Sequence, residues 1–461
     1  MARFITLLVL SVLAQSVVAA EPAKGPDVPA EVRRAIETYL DKRFLPVKEA
    51  DAETEKLIAQ IEAAKVKLKD VETILRAGRT KYPAVEEKGK LLLRDTLECD
   101  HVDYTTAYFL YVPKSYDPAT AAPLLLVGHG GNGAMDRDYA KRASEGGVKP
   151  WLEVAEKEGI VVAAPFTERG WGWIGDSILL TLLSKMQREY HIDPDRIYIT
   201  GHSMGGHLSW RSGIYMADRW GAVCPMSGGY DYVENKLVYN LLNVPGYATY
   251  GSTEPYDINK FNNKIKEWMD DHQFDWKLVE KKGGHQIFAD ELPKAAQFLL
   301  AHPRDLYRPR VYARLGGSLV HDQADKNPAW KKEHTWKENH PIQRSTIHWL
   351  RLYPLPKDTP AEKATQTIQV DYAVNVFTVT AENVRKIRIY LHPKMVDFSK
   401  AVIVEVNGKV LAKADVQPSL KTMLELVREF DDPGRIFHAA LDVEITTDKE
   451  VPEPKSLRKG S

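Results

Sequence analysis

Arg196-Ile197-Tyr198-Ile199-Thr200-Gly201-His202-Ser203-Met204-Gly205-Gly206 is the stretch that decides the fold. Ile197, Tyr198 and Ile199 are apolar and partly β-branched, as a buried parallel strand requires, and Gly206 to Tyr215 suits a helix. Ser203 then falls on a sharp strand-to-helix turn. Gly201 and Gly205 leave the space that a Cβ would fill where strand and helix approach closely. Such a turn lifts the serine hydroxyl out of the sheet's carboxyl edge and aims a helix N-terminus at any anion formed beside it. A Gly-x-Ser-x-Gly pentapeptide is weak by itself and gains meaning only from its flanks and partners. The competing reading is a serine in a plain tight turn.

Working outward, residues 100–303 alternate strand and helix signals. Strands are expected at 108–112, 123–128, 160–164, 196–200, 222–226, 247–250 and 276–280. Helices are expected at 151–158, 177–190, after Ser203, 259–272 and 292–301. This alternation specifies a mostly parallel sheet covered on both faces. Before it, residues 21–99 read as a helical segment. Leu57, Ile61, Ala64, Leu68, Val71 and Leu75 form a stripe, with Asp51 as N-cap and Gly78 as stop, which favours a helical hairpin on the main domain over an intermolecular coiled coil. After it, residues 304–344 read as a surface connection. Residues 345–447 read as a small antiparallel β-sandwich, with Asn407-Gly408 as a type I′ hairpin turn, and 448–461 as a polar tail.

The serine needs a base, because its hydroxyl is a weak nucleophile at neutral pH. His285 follows a strand-like run through Gly283-Gly284, which puts it in a loop at the sheet's carboxyl end. An orienting carboxylate is sought between Ser203 and His285 at a strand end. Glu254, Asp257 and Asp231 all qualify by position. An oxyanion would be met by the Met204 N–H and by a glycine-rich loop after an early strand, His129-Gly130-Gly131-Asn132-Gly133, through Gly131. Substrate-pocket residues are sought at His129, His202, Trp171 and Trp173, with plain packing as the rival reading for the two tryptophans.

The His-Gly-Gly-x-Gly loop, the run Ile192 to Gly206 and Gly283-Gly284-His285 resemble those of secreted α/β-hydrolase esterases, the feruloyl and acetylxylan esterase-like and the polyhydroxybutyrate depolymerase-like enzymes. The resemblance covers about Thr105 to Ala301. It implies the α/β-hydrolase fold, with Ser203 as nucleophile, His285 as base, Gly131 and Met204 as oxyanion donors, and Glu254 as acid. Glu254 stands where that family carries aspartate, in Gly251-Ser252-Thr253-Glu254-Pro255, so Asp257 stays open as the alternative. The implied activity is hydrolysis of esters of plant polysaccharide, acetyl or feruloyl, or of related small esters. The alternatives are a serine peptidase of the prolyl oligopeptidase type, a polyester or lipid esterase, and a binding protein that kept the scaffold.

The bulk properties agree with a neutral substrate. In 461 residues Lys plus Arg and Asp plus Glu number 63 each, which speaks against a nucleic-acid footprint. Arg3, the apolar run Phe4 to Leu13 and Val17-Val18-Ala19-Ala20 before Glu21-Pro22 read as a signal peptide over 1–20, hence a secreted or periplasmic enzyme with no membrane span in the mature chain. The two cysteines, Cys99 and Cys224, are compatible with a disulfide or with two buried thiols. The ligand spacings of metal sites are missing, and no cofactor is expected. Oligomeric state is not legible.

Overall fold

The structure, a computed structural model, describes residues 28–131, 135–272, 274–316, 336–337, 342–356, 359–360, 363–445 and 449–451. The signal-peptide reading, Asn132-Gly133, much of the 304–344 connection and most of the polar tail lie outside these.

Eight strands make the main sheet: β1 (Leu91–Glu98), β2 (Thr105–Tyr111), β3 (Ala122–Gly128), β4 (Val161–Phe166), β5 (Ile192–His202), β6 (Ala222–Met226), β7 (Gly246–Gly251) and β8 (Trp276–Lys281). Their order is β1-β2-β4-β3-β5-β6-β7-β8, and β2 alone runs antiparallel to its neighbours. This is the α/β-hydrolase fold. Strands β3, β4 and β6 are buried along their whole length, so both of their faces must be apolar. Leu124 and Leu126 of β3 enter one core with Ile178, Leu182, Leu208, Ile214 and Ile265. Leu125 and Val127 enter the other with Ala140, Val148, Trp151, Ala296 and Leu299. The alternation of side chains along a strand thus sorts the helices. Helices α6 (Trp173–Glu189), α7 (Met204–Tyr215) and α8 (Ile258–Asp270) cover the first face, and α4 (Arg137–Val148), α5 (Leu152–Glu158) and α9 (Leu292–Ala301) the second.

Before the sheet come α1 (Ala30–Asp41), α2 (Val47–Ala63) and α3 (Leu68–Ala77). Gly78 ends α3 at φ +67°, as read. Asp51 does not cap: α2 starts four residues earlier, after Pro46, whose fixed φ suits a helix start. The stripe Leu57, Ile61, Val71 and Leu75 is buried, but its partner is α10 (Leu420–Phe430), through Met423, Leu424 and Val427. The helices therefore seat on the C-terminal module as well as beside the sheet.

That module is a sandwich of two sheets. One contains β10 (Thr346–Ile347), β11 (Leu350–Leu352), β14 (Lys386–Leu391) and β17 (Ala439–Glu444); the other contains β9 (Arg310–Leu315), β12 (Gln366–Ala373), β13 (Val376–Glu382), β15 (Val402–Val406) and β16 (Lys409–Ala414). Asn407 and Gly408, at φ +50° and +84°, make the turn between β15 and β16. Three features depart from the sequence reading. β9 lies in the stretch read as a connection and pairs with β12; β13 and β15 pair in parallel; and α10 interrupts the strands. Cys99 and Cys224 are both free and buried, and burial pushes both thiols up to about 12. Among the described residues no helix is long and apolar enough to cross a membrane.

Candidate active site

Ser203 caps α7 with φ +58° and ψ −117°, a backbone conformation that L-residues adopt only under constraint. The constraint is contact between backbones. A Cβ on Gly205 would stand 2.0 Å from the Gly128 carbonyl oxygen of β3, and one on Gly201 would stand 2.5 Å from the same atom. The Ser203 N–H donates to the Met226 carbonyl at 3.0 Å, so the turn is also tied to β6. Strand, turn and helix can be joined in this way only if both flanking positions lack side chains.

The loops after β7 and β8 bring the other two groups. Ser252 N–H donates to Lys281 O at 2.8 Å, and Thr253 N–H to Gly283 O at 3.0 Å, continuing the strand pairing beyond the strands. Within this zip, Ser203 Oγ lies 2.8 Å from His285 Nε2, and His285 Nδ1 lies 2.6 Å from Glu254 Oε2. The second Glu254 oxygen accepts the Gly251 N–H at 2.8 Å, and the side chain is fully buried while that of His285 is 25% exposed. A carboxylate can only accept, so the imidazole proton sits on Nδ1 and leaves the Nε2 lone pair for the serine hydroxyl. Asp257 takes no part. It is exposed, in the left-handed region at φ +59°, and precedes α8. Asp231 is held by Lys264 Nζ at 3.1 and 3.2 Å.

The β3–α4 loop and the start of α7 meet beside Ser203. Positions Gly130 and Ser203 almost touch: a Cβ on Gly130 would lie 3.3 Å from Ser203 Cβ. Gly131 follows at φ +138°. Met204 is the first residue of α7, where a helix leaves its N–H without an intrahelical partner.

Sequence reasoning placed His129 in the substrate pocket, and the structure corrects this. Its ring is fully buried. The Thr167 N–H donates to Nε2 at 3.1 Å, so the proton is on Nδ1, which donates to the Gly130 carbonyl at 2.8 Å. Burial lowers its pKa to about 4, keeping it neutral. It is a brace for the 129–131 loop. Trp171, 5% exposed, braces the same loop: its Nε1–H donates to the His129 carbonyl at 2.9 Å. Trp173 is packed against Trp336 with centroids 4.6 Å apart. Both tryptophans are buried in the sheet's core. His202 does stand in the site. Its ring centroid is 4.6 Å from that of His285, and desolvation, then His285, lower its pKa to about 4.

His207, which sequence reasoning did not single out, joins the site's frame. Its N–H donates to the Ser203 carbonyl at 3.0 Å, and its Nδ1 accepts the Gly229 N–H at 2.9 Å. Its spacing of four from Ser203 on a helix is the signal that could have found it.

Two curated proteins are similar to part of this chain. One is a bifunctional acetylxylan esterase/xylanase of Neocallimastix patriciarum, 32% identical over 125 residues, which are 26% of this chain and 17% of the relative. The other is named "probable feruloyl esterase C" of Aspergillus terreus, 28% identical over 128 residues, 26% of this chain and 46% of the relative. The chain thus spans less than half the length of either. Among solved structures, a ferulic acid esterase superposes with a TM-score of 0.38 at 18% identity over 46% of this chain and 97% of that one. No family model matches the sequence.

Proposed function

We propose that this protein is a serine carboxylic-ester hydrolase, exported from the cell, acting on acetyl or feruloyl esters of plant polysaccharide or on related small esters. The observation that carries the reading is the continuous hydrogen-bonded line from Ser203 Oγ through both His285 nitrogens to Glu254, at 2.8 and 2.6 Å.

In this reading, Ser203 Oγ attacks the ester carbonyl while His285 Nε2 takes its proton. The tetrahedral oxyanion is met by the N–H groups of Met204 and Gly131. His285 then passes the proton to the departing alcohol, leaving an acyl-serine. A water, deprotonated by the same nitrogen, attacks that acyl group and releases the acid. Glu254 orients the ring and stabilises the imidazolium. The partial likeness to an acetylxylan esterase/xylanase and to a feruloyl esterase supports the substrate class.

The test is hydrolysis of p-nitrophenyl acetate, acetylated xylan and methyl ferulate by the wild type and three variants. Ser203→Ala is expected to lose about 10⁴-fold or more in kcat, and Glu254→Gln about 10³- to 10⁴-fold. Asp257→Asn is expected to stay within about twofold, since no contact with His285 is lost. Full activity of Ser203→Ala would end the proposal, and a larger loss in Asp257→Asn than in Glu254→Gln would move the acid.

A further inference from the structure

Three aromatic side chains among the described residues are exposed, and all three are tyrosines: Tyr139 at 47%, Tyr230 at 53% and Tyr256 at 87%. Single exposed apolar residues are ordinary. Their placement is not, because each stands close, in space or along the chain, to a different part of the proposed machinery. Tyr139 lies against the oxyanion loop: a Cβ on Gly131 would be 3.4 Å from its Cε1. Tyr230 meets His207 edge to face at 4.9 Å, and His207 N–H is bonded to the Ser203 carbonyl. Tyr256 is two residues past Glu254, in a pair with Asp257 that holds positive φ at +56° and +59° without a glycine. The three come from the connections after β3, β6 and β7, which run parallel to β5, so they stand at the same carboxyl edge of the sheet as Ser203 instead of forming one patch.

We propose that Tyr139, Tyr230 and Tyr256 form a rim that holds the neutral sugar chain on either side of the ester-bearing residue. The inference rests on the esterase reading and narrows its substrate to a polysaccharide. A tyrosine offers an apolar face with a hydroxyl at its tip. A pyranose ring has the matching surface, a face of C–H bonds edged by hydroxyls. A lipid layer or a solid polyester would instead need contiguous aliphatic area. Among the described residues the exposed large aliphatic side chains, Val47, Val374 and Val410, lie on α2, in the β12–β13 turn and on β16, outside the connections that carry the three tyrosines. Three separate rings, one on the first turn of α4 and two on loops, also suit a chain lying across this edge better than a small alcohol filling a pocket.

The experiment compares wild type with the triple variant Tyr139→Ala/Tyr230→Ala/Tyr256→Ala on acetylated xylan, p-nitrophenyl acetate and poly(3-hydroxybutyrate) particles. The ratio of kcat/KM on xylan to that on p-nitrophenyl acetate is expected to fall about tenfold or more, with most of the change in KM, as three lost stacking contacts imply. Tyr230→Trp, which keeps a stacking face, is expected to retain the wild-type ratio. An unchanged ratio overturns the rim, as does a fall confined to the polyester or an equal loss on all three substrates. The catalytic reading is judged apart: if wild type leaves p-nitrophenyl acetate intact, the esterase proposal fails. The rim is still decided by retardation of Ser203→Ala in gels containing acetylated xylan, which the added triple substitution is expected to abolish. Equal mobility of the two proteins overturns it.

Discussion

At the scale of single residues, three histidines are held neutral by burial. It lowers the pKa of His129 and His202 to about 4 and that of His348 to about 3. In the unfolded chain each titrates near its ordinary value of about 6.5. Between about 6.5 and 4 the unfolded state therefore takes up protons that the folded state refuses, and stability falls as pH falls. Above 6.5 the three contribute nothing to the slope. For fully buried His129 the loss approaches about 1.4 kcal/mol per pH unit across that window. Urea midpoints measured at pH 7, 6, 5 and 4 are expected to drop steadily below 6.5, and His129→Gln to flatten the slope. Midpoints that hold level down to pH 4.5 would contradict the assignment.

At the scale of elements, the crossing of β3, β5 and α7 is the tightest place in the fold. Gly205→Ala would drive a Cβ to 2.0 Å from the Gly128 carbonyl, and backbone must move to relieve it. A loss of about 3 kcal/mol or more is expected, with ester hydrolysis lost as Ser203 shifts. Gly146, inside α4, has nothing within 4 Å of an added Cβ. There alanine is expected to stabilise by up to about 1 kcal/mol through helix propensity. Thermal melts of the two variants set side by side are the check: opposite signs are expected, and a destabilised Gly146→Ala together with a neutral Gly205→Ala would refute the packing argument.

At the scale of the whole molecule, the catalytic sheet, the N-terminal helices and the sandwich are tied by buried charge. The Arg304 guanidinium holds Asp432 with two bonds at 2.6 and 3.0 Å and also reaches Asp195, and Arg435 pairs with Asp218 at 2.8 Å. Arg435 is fully buried, and the surrounding guanidiniums keep the Asp432 carboxyl far below its usual range. Glu72 of α3 meets His438 Nε2 at 2.8 Å and His392 Nε2 at 3.3 Å, which fastens the helices to the sandwich. Removing one partner leaves an uncompensated buried charge. Asp432→Ala is thus expected to cost about 3–5 kcal/mol, read as a lower urea midpoint in which sheet and sandwich unfold together. A sandwich that melts alone, with the sheet unaffected, would show that the contact does not couple them.

Sequence alone makes the seven strands β2 to β8, the turn at Ser203 and the loop that carries His285 legible, because largely buried strands must be apolar runs and a close crossing must be glycine; the half-exposed edge strand β8 keeps only Leu278-Val279 of such a run. It left β1 unread, since an edge strand half open to water keeps Arg94, Asp95 and Glu98 and loses the apolar signature. It also left α4 unread, whose Ser144-Glu145-Gly146-Gly147 blurs the helical period. Chain position and the family likeness put Glu254 first among the candidate carboxylates but leave Asp257, three residues on in the same loop, open. Which of them meets His285 is set by tertiary contacts: the zipped β7 and β8 loops bring Glu254 to Nδ1, while Asp231, in the preceding loop, is held by Lys264. The same holds for His129, Trp171 and Trp173. Chemistry-bearing side chains near a glycine loop look like pocket residues until the structure shows them buried, with His129 and Trp171 hydrogen-bonded into that loop and Trp173 packed on Trp336. Local pattern encodes what a segment must hide, whereas the partner it meets is set by contacts between residues far apart in the chain.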